Sequence, residues 1–389
     1  MKVAIIGAAG VRTPQLVRRL VKSTKELGLR EIALMDIDGH NLSLMLTVIE
    51  DLVEIPSEVS LSSSTDVREA CLDAQFVILT IRVGNIKGRI LDEQIPLRHG
   101  VLGQETTGPG GFAMAVRTIP VVLEYMEVIK SVAPQAWVVN LTNPSGLITQ
   151  AVTDAGYSNI VGICDGPTEL LKAVSRATGH HVDELWFDYY GINHLGWIGG
   201  VQHQGRELLP EILRDEQALE IISEHSVEPE FIRDVGLLPN EYLIFFYKHQ
   251  TVVENIKQAG ITRSEQIAAL NKILFEELER IKAGALDERP GRAYLRYSRA
   301  RSSSYFQVER EGRPPELVED ESLNPEGYSE IAVQVLAALA GAGSINIPIN
   351  ALNGGTLPCL APDDIVEVQS RVDENGIHPF RVSVPIPPH

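Results

Sequence analysis

The chain begins with a buried-strand pattern that runs directly into a glycine-containing turn and then into a helix. Val3 to Ile6 is a run of apolar residues, Gly7-Ala8-Ala9-Gly10 follows it, and Pro14 stands near the start of the next amphipathic segment. Proline suits the first turn of a helix, because its missing N–H would have no helical partner there. This strand–turn–helix order restricts the possible folds more than any other feature of the sequence.

The same alternation continues through the first half of the chain. Further apolar runs lie at 31–35, 75–81, 136–139 and 160–163, with helical patterns near 41–54, 113–132, 145–155 and 168–177. Strands that alternate with helices predict a mostly parallel sheet with helices on both faces. We therefore expect an α/β protein, with an N-terminal Rossmann-like doubly wound parallel sheet over residues 1–165 and a C-terminal mixed α+β domain over residues 166–389.

The pattern loosens after about residue 190. Leucine and isoleucine at helical spacing predict long helices over 264–283 and 327–342. The stretch 286–325, rich in Arg, Pro, Ser and Glu, is expected to be irregular. The tail from Ile347 is punctuated by Pro and Gly, and it predicts short strands and turns.

The charge balance narrows the classes of partner. The chain has 34 Lys and Arg against 52 Asp and Glu, a formal charge of −18. Nucleic acid is not expected as a partner, because neutralising phosphates needs clustered cations, whereas a small anion needs only a few local arginines. Three cysteines are too few for a disulfide scaffold. No signal-peptide core and no apolar run of about 20 residues is found, so we expect a cytoplasmic protein without a membrane partner.

The first turn and the end of the second strand suggest a dinucleotide site. Glycines such as Gly7 and Gly10 let backbone N–H groups approach a pyrophosphate at a helix N-terminus. Asp36 ends the second strand, where a carboxylate accepts hydrogen bonds from a ribose 2′-OH, which favours NAD over NADP. The alternative is a tight turn and a solvated Asp. Other candidates for cofactor contacts, in the turn or after the third and fourth strands, are Val11, Arg12, Arg82 and Asn140.

One cysteine and one histidine fall where the carboxyl edge of the sheet is expected. Cys164 follows the fifth strand, and His194 lies in the segment GINHLGW. A thiolate and an imidazole suit a first-row transition metal better than Mg²⁺ or Ca²⁺. Two ligands alone are a weak signature, and a lone Cys is more often a small buried apolar residue.

Five segments carry a family resemblance. GRILDEQIPLRHGVLGQETTGPGG (88–111), NLTNPSG (140–146), GICDGP (162–167), YYGINHLGW (189–197) and PNEYLIFFY (239–247) closely resemble glycoside hydrolase family four, the NAD- and divalent-metal-dependent glycosidases that include the 6-phospho-β-glucosidases. The resemblance implies NAD and Mn²⁺ or another divalent cation as cofactors, a phosphorylated sugar as substrate, and a homodimer or homotetramer. This family is an exception to two-carboxylate glycoside hydrolysis.

The resemblance also implies a reaction sequence. NAD⁺ oxidises the sugar at C3, a base removes the acidified C2 proton, the aglycone leaves C1 by elimination, water adds, and NADH restores C3. The metal ligands correspond to Cys164 and His194, and the base corresponds to Tyr242. Arg263 matches an arginine near the metal and the substrate. The alternatives are that Tyr242 is a packed aromatic residue and Arg263 a surface charge at a helix start.

The resemblance does not fix which glycoside is the substrate. Asp165 follows the metal cysteine, where β-specific members commonly have Asn and α-specific members have Asp as the acid, although the rest of the chain resembles 6-phospho-β-glucosidases. We expect a 6-phospho-β-glucosidase, with 6-phospho-α-glucosides or unphosphorylated glycosides and uronides as alternatives. Arg89 and Arg12 are candidates to clamp phosphate. The remaining candidates for substrate contacts are Glu105, Asn143 and Asn193.

Two other classes of function stay open from the sequence. The N-terminal half is compatible with a malate/lactate-like NAD dehydrogenase, which would show net NADH production from a 2-hydroxy acid. Relative to the family, the chain is short at its C-terminal end, which fits an NAD- or sugar-binding sensor with a decayed site. Such a sensor would bind NAD without cleaving any glycoside.

Overall fold

The computed structural model describes residues 1–224, 227–312 and 327–382. Two sheets organise these residues, a larger one of nine strands and a smaller one of four. The thirteen strands are β1 (Lys2–Ile6), β2 (Glu31–Met35), β3 (Ser60–Ser64), β4 (Phe76–Leu79), β5 (Trp137–Asn140), β6 (Ile160–Gly162), β7 (Leu185–Ile192), β8 (Leu195–His203), β9 (Arg206–Glu207), β10 (Leu238–Pro239), β11 (Ile345–Leu352), β12 (Ile365–Asp373) and β13 (Gly376–Pro379).

The larger sheet confirms the predicted Rossmann-like topology. Its order is β13-β12-β11-β6-β5-β4-β1-β2-β3, and the six strands from β6 to β3 are parallel. The strand order reverses between β1 and β4, and in open α/β sheets ligands bind outside the carboxyl ends of the strands at such a point. β11, β12 and β13 extend the sheet by antiparallel pairing. Because these strands follow residue 166, the division at 165/166 does not separate the two sheets and stays a prediction.

Helices connect the strands and cover the larger sheet. They are α1 (Thr13–Lys22), α2 (Thr24–Leu27), α3 (Gly39–Leu52), α4 (Val67–Cys71), α5 (Asn85–Arg98), α6 (Gly108–Val132), α7 (Ser145–Asp154), α8 (Gly166–Thr178), α9 (Leu209–Ile212), α10 (Glu216–Ser223), α11 (Pro229–Val235), α12 (Ile244–Tyr247), α13 (His249–Ala259), α14 (Arg263–Lys282), α15 (Pro290–Ser303), α16 (Gln307–Glu311) and α17 (Gly327–Leu339). Two 3₁₀ turns, Val182–Glu184 and Glu241–Leu243, complete the described elements.

Apolar side chains fill the space on both faces of the larger sheet. On one face α1, α3 and α17 pack against alternate residues of the parallel strands, and on the other face α4, α6 and α7 do so. Burial of these side chains is the main favourable term in folding, since each fully buried Leu, Ile or Val contributes roughly 1.5–3 kcal/mol. α17 therefore ties the C-terminal half of the chain to the N-terminal sheet.

The expectation that 286–325 is irregular is wrong for its first part. α15 and α16 form at Pro290–Ser303 and Gln307–Glu311. α15 buries Ala293, Tyr294, Tyr297 and Ala300 at helical spacing against α3 and α14. Because arginines separate these apolar residues, the polar composition of the stretch did not indicate a buried helix face. Residues 313–326 lie outside the described part of the chain.

Two elements, β3 and α5, lack a buried apolar stripe and were not predicted. β3 has the sequence SLSSS and lies at the edge of the larger sheet, with no residue fully buried. α5 contains Pro96 and buries Arg89, Asp92 and Glu93 instead of an apolar stripe. Within the described residues, no helix has the length and apolarity that crossing a membrane requires.

Candidate active site

A cavity of about 400 Å³ opens beyond the carboxyl ends of the parallel strands. Eight of the sequence-predicted residues line it, namely Val11, Arg12, Arg89, Glu105, Asn143, Asp165, Tyr242 and Arg263. The other predicted residues do not contribute to its lining: Gly7, Gly10, Asp36, Arg82, Asn140, Cys164, Asn193 and His194.

The turn after β1 has the close packing that its glycines predict. Gly7 has φ +93°, and a Cβ atom there would lie 2.3 Å from the carbonyl oxygen of Thr80. Asp36 at the end of β2 accepts a hydrogen bond from the Ala9 N–H at 2.9 Å, so its carboxylate lies against this turn. Glycine, turn and carboxylate fit the pyrophosphate and ribose of a dinucleotide, and the use of these residues for NAD stays a prediction.

Two other predicted cofactor contacts have partners within the protein. The Asn140 side chain is fully buried and bonds the backbone of Thr142, accepting from its N–H at 3.0 Å and donating to its carbonyl at 3.2 Å. Arg82 donates a hydrogen bond to the Glu105 carboxylate. Asn140 thus braces the loop after β5, and Arg82 contributes to the charge network described below.

The structure brings Cys164 and His194 together. Their Sγ and Nε2 atoms are 3.3 Å apart, although the residues lie 30 positions apart in the chain. His194 lies in the two-residue connection between β7 and β8 and has φ +68°, a backbone conformation that is strained for a residue with a side chain. Its Nδ1 atom lies 2.9 Å from the Thr106 hydroxyl, which fixes the ring so that Nε2 faces the thiol.

The chemistry of this pair fits a divalent metal. Both side chains are buried, and burial lowers the pKa of His194 to about 3, so the imidazole is neutral and able to bind a metal. Burial also raises the pKa of the Cys164 thiol well above its usual range, with Glu367 and Asp165 adding to the effect. Metal binding at the pair would therefore release the thiol proton.

Tyr242 lies directly against the pair formed by Cys164 and His194. Its ring stacks on the His194 ring with centroids 3.5 Å apart and planes at 11°. The Tyr305 hydroxyl lies 3.1 Å from the Tyr242 hydroxyl and 2.8 Å from the Glu241 carboxylate, so the three side chains form a hydrogen-bonded chain. Burial raises the pKa of Tyr242 well above its usual range. The phenol would become a base only with added positive charge nearby, which a cation on Cys164 and His194 would supply.

Asp165 stands at the start of α8 and faces the cavity. Burial raises the pKa of its carboxyl group, while the neighbouring Arg12 guanidinium opposes the shift. A carboxyl group with a raised pKa retains its proton at higher pH, which an acid that protonates a leaving group requires.

A buried network of charges forms one wall of the cavity. Arg89 pairs with Glu93 at 2.8 Å and with Glu105 at 3.0 Å, and Arg82 pairs with the second oxygen of Glu105. Although burial opposes ionisation of Glu105, the two arginines lower its pKa to about 2. Glu105 is therefore a fixed anion that can accept hydrogen bonds from sugar hydroxyls. The positive charge of Arg89 is already compensated by the carboxylates of Glu93 and Glu105.

The other cavity-lining arginines differ in how far protein groups engage them. Arg263 donates to Gln266, to the backbone carbonyls of Ser304 and Arg301, and to the Ser304 hydroxyl. Arg12 lies over the Tyr328 ring at 4.1 Å, and Arg301 donates to the Tyr297 hydroxyl at 3.0 Å. Within residues 1–224, 227–312 and 327–382, no carboxylate pairs with Arg12 or Arg301 within 4.0 Å.

A buried carboxylate holds the segment that contains His194. Glu367 of β12 is fully buried and accepts hydrogen bonds from the Tyr189 hydroxyl at 2.8 Å, from Asn193 at 2.9 Å and from Asn350 at 3.2 Å. Asn193, predicted as a substrate contact, thus donates to Glu367 and fixes the residue next to His194. Groups that hold the neighbours of metal ligands commonly tune metal affinity.

Removal of this carboxylate is expected to destabilise the protein. Glu367→Ala would remove the shared acceptor of three donors, of which the Tyr189 hydroxyl and the Asn350 amide are fully buried, so we expect the free energy of unfolding to fall by about 3–5 kcal/mol. Glu367→Gln retains one acceptor oxygen and should cost about 1–2 kcal/mol. Urea denaturation measures both, with the exposed Glu276→Ala as a control expected within about 0.5 kcal/mol of the unsubstituted chain. A fall below about 1 kcal/mol for Glu367→Ala would contradict the proposed role of the network.

Several site residues were not predicted from the sequence: Glu93, Thr106, Glu241, Arg301, Tyr305 and Glu367. Glu241 directly precedes the predicted Tyr242, and Thr106 lies in a segment already noted for its resemblance. Tyr305 and Arg301 fall in the stretch expected to be irregular, so no element placed them at the cavity. Glu367 did leave a signal, since a carboxylate in the middle of the apolar strand Ile-Val-Glu-Val is costly to bury unless it is hydrogen-bonded.

Comparison with known proteins places this site in a family. A model described as family 4 glycosyl hydrolase matches residues 2–180, and a model of its C-terminal domain matches residues 189–389. A probable 6-phospho-beta-glucosidase of Bacillus subtilis (strain 168) is 30% identical over 399 aligned residues, covering 98% of this chain and 83% of that protein. The 6-phospho-alpha-glucosidase 1 of Lacticaseibacillus paracasei is 34% identical over a match covering 72% of this chain and 68% of that protein.

Solved structures give the same result. The 6-phospho-beta glucosidase of Thermotoga maritima, solved with NAD and glucose-6-phosphate, has a TM-score of 0.79 and 25% identity, covering 98% of this chain and 83% of that one. The same enzyme solved with manganese, NAD⁺ and glucose-6-phosphate has a TM-score of 0.77 at 25% identity. The cofactors expected from the sequence are those that this related enzyme binds. The matched models and relatives, which cover nearly the whole chain, establish that it belongs to glycosyl hydrolase family 4.

Proposed function

We propose that the protein is an NAD- and Mn²⁺-dependent glycosidase that cleaves 6-phosphoglucosides, with 6-phospho-β-glucosides as the first candidate. One observation carries the proposal: Cys164 and His194, side chains able to bind a metal, are buried 3.3 Å apart beside a cavity that Tyr242 lines. The related enzymes act on or bind 6-phosphosugars, which supports the same substrate class here. Membership of a glycosidase family argues against the malate/lactate-like dehydrogenase alternative.

The chain's own residues divide the reaction between them. Bound NAD⁺ would take a hydride from sugar C3 and later return it, while a divalent cation would polarise the oxygen at that carbon. Tyr242 would accept the C2 proton, with its hydroxyl held by that of Tyr305, which Glu241 holds in turn. Asp165 would donate a proton to the departing oxygen, and Glu105 would hold sugar hydroxyls as a fixed acceptor. Thr106 would keep the His194 ring oriented.

The phosphate group of the substrate requires cations that protein carboxylates have not neutralised. Arg89 is paired with Glu93 and Glu105, so its charge is already compensated. Arg12 and Arg301 line the cavity and have no carboxylate within ion-pair distance among the described residues, although the charges of Asp165 and Glu105 act on Arg12 from farther away. A guanidinium can bind a phosphate through two parallel hydrogen bonds. These two arginines are therefore our candidates for the phosphate contact.

A second candidate function is cleavage of 6-phospho-α-glucosides. Asp165 favours it, because a cavity-lining carboxyl group with a raised pKa is a better acid than the Asn typical of β-specific members. The Lacticaseibacillus paracasei relative, named as a 6-phospho-alpha-glucosidase, also supports it. The two candidates differ only in the anomer that the site accepts.

A substrate panel tests the proposal and separates its versions. We expect cleavage of 4-nitrophenyl β-D-glucoside 6-phosphate only when NAD⁺ and Mn²⁺ are both present, with no net accumulation of NADH. The α-anomer, the unphosphorylated glucosides and a glucuronide distinguish the alternatives. Cleavage of none of these substrates with both cofactors present, together with measured NAD⁺ binding, would support a sensor instead.

Replacement of Arg12 tests the phosphate contact. Arg12→Ala is expected to raise KM for the 6-phosphoglucoside by about 10- to 100-fold, since a hydrogen bond to a charged group contributes roughly 1.5–3 kcal/mol. Steady-state kinetics should show a smaller change in KM for NAD⁺, although the residue lies next to the nucleotide turn. The exposed Arg292→Ala serves as a control. A larger effect on the KM for NAD⁺ would assign Arg12 to the cofactor.

A further inference from the structure

A second cluster of metal-binding side chains lies away from the cavity. His180, Glu184 and His203 each offer one ligand atom, and all three atoms lie within 4.8 Å of one another. The two imidazole rings stack with centroids 3.9 Å apart and planes at 23°. None of these residues lines the cavity or has a role in the proposed reaction. We propose that this trio is a second metal site, for a divalent cation of the zinc class.

The local fold explains why the three side chains meet. Glu184 ends the 3₁₀ turn before β7, and Leu185, its neighbour, pairs across the sheet with His203 of β8. His203 is fixed in turn by a tight connection to β9, in which Gln204 and Gly205 both have positive φ. Two positive φ values are typical of the two-residue turns that match the twist of paired strands. The cross-strand register therefore sets the distance between Glu184 and His203.

Hydrogen bonds orient the Glu184 carboxylate and hold the backbone of His180. One oxygen of the Glu184 carboxylate accepts from the His181 N–H at 3.1 Å, which leaves the other oxygen for a cation. The backbone carbonyl of His180 accepts from the Ser175 hydroxyl at 2.6 Å, which fixes the chain just after α8. His181 itself is engaged elsewhere, since its Nδ1 atom accepts from the Asp183 N–H at 3.4 Å.

The donor set selects the kind of cation. Two imidazoles and one carboxylate suit Zn²⁺, Ni²⁺ or Cu²⁺, whereas Mg²⁺ and Ca²⁺ prefer oxygen ligands alone. Zn²⁺ binds such ligands at about 2.0–2.2 Å, so a tetrahedral site has donor atoms about 3.4 Å apart. To reach this spacing, the donor atoms would have to approach from up to 4.8 Å, and the stacked imidazole rings would have to rotate so that their in-plane lone pairs converge on the cation. His180 and His203 are half-buried and Glu184 is exposed, so the fourth position of such a site would be open to water.

This site is separate from the Cys164–His194 pair. β8 is nine residues long, with His194 just before its start and His203 at its end. A strand of this length spans on the order of 30 Å. A cation at the second site would join residues 180–184 to the hairpin at the far end of the strand, and it would act as a structural clip instead of a reaction centre.

Metal titration of the full-length chain tests the site. Equilibrium dialysis against Co²⁺, followed by elemental analysis, is expected to show one equivalent more in the unsubstituted chain than in His203→Ala. This difference does not depend on whether Cys164 binds metal, because a thiolate–Co²⁺ absorption band reports that pair separately. The control His40→Ala removes an exposed histidine that also has a carboxylate neighbour, Glu279, and should bind as much Co²⁺ as the unsubstituted chain.

A second variant, Glu184→Gln, distinguishes loss of the metal site from loss of folding. Glu184→Gln retains an oxygen that can accept from the His181 N–H, so the 3₁₀ turn keeps its cap while the cation loses a charged ligand. We expect at least about 10-fold weaker Zn²⁺ binding at this site and a smaller rise in Tm on adding Zn²⁺ than in the unsubstituted chain. Equal Co²⁺ stoichiometry in the unsubstituted chain, His203→Ala and Glu184→Gln, with equal Zn²⁺ affinity, would overturn the proposal.

Discussion

Cys164→Ser is expected to reduce kcat/KM for the phosphoglucoside by about 10³-fold or more. A metal that polarises a reacting oxygen contributes several kcal/mol to transition-state stabilisation, and about 4 kcal/mol corresponds to 10³-fold in rate. A serine hydroxyl is a much poorer ligand than a thiolate for a first-row transition cation. The Cys164 Sγ lies 3.3 Å from His194 Nε2, so its loss would leave His194 as the one remaining ligand of this pair.

The chain offers a matched control for this substitution. Cys359 is an exposed free cysteine outside the cavity, so Cys359→Ser should retain activity within about twofold. Manganese content, measured by elemental analysis, should fall in Cys164→Ser and stay constant in Cys359→Ser. Full activity of Cys164→Ser with unchanged manganese content would show that the pair does not hold the metal.

Tyr242→Phe is expected to lower kcat by about 10²- to 10⁴-fold, the range typical of a general base. The substitution removes only the hydroxyl and keeps the ring that stacks on His194 at 3.5 Å, so the arrangement of Cys164 and His194 should be preserved. The rate of deuterium exchange at sugar C2, followed by mass spectrometry in D₂O, measures the proton transfer directly. That rate should fall together with kcat.

Variants of two neighbouring tyrosines distinguish the role of Tyr242 as a base from a role in packing. Tyr305→Phe removes the hydroxyl that lies 3.1 Å from that of Tyr242, so we expect an intermediate loss of about 10-fold. Tyr247→Phe alters a tyrosine of the same segment that does not line the cavity, and its activity should stay within about threefold. Unchanged C2 exchange in Tyr242→Phe would assign the base to another residue.

The sequence predicted the sheet because its strands carry a strong and simple signal. Val3 to Ile6 and the later apolar runs are buried on both sides, so hydrophobicity alone marked them. β3, with the sequence SLSSS, is held only by edge pairing and has no such signal. α15 was missed for a different reason, because its buried stripe of Ala and Tyr alternates with arginines.

Site residues were predictable where they follow a strand or lie in a resembling segment. Cys164, His194, Asp165 and Tyr242 were named in this way, and the structure brings them together at one sheet edge. Their partners come from distant parts of the chain, since Glu367 meets Asn193 across 174 positions. Such tertiary pairings leave no local pattern in a single sequence, so the hydrogen-bond network around the site required the structure.

The most direct test of the proposed function is the position of deuterium in the product. The enzyme would be incubated with the 6-phosphoglucoside, NAD⁺ and Mn²⁺ in D₂O, and the released glucose 6-phosphate would be analysed by NMR. Oxidation at C3 followed by elimination predicts deuterium at C2, with no net NADH formed. Cleavage that leaves C2 fully protonated, or that proceeds without NAD⁺, would contradict the proposed function.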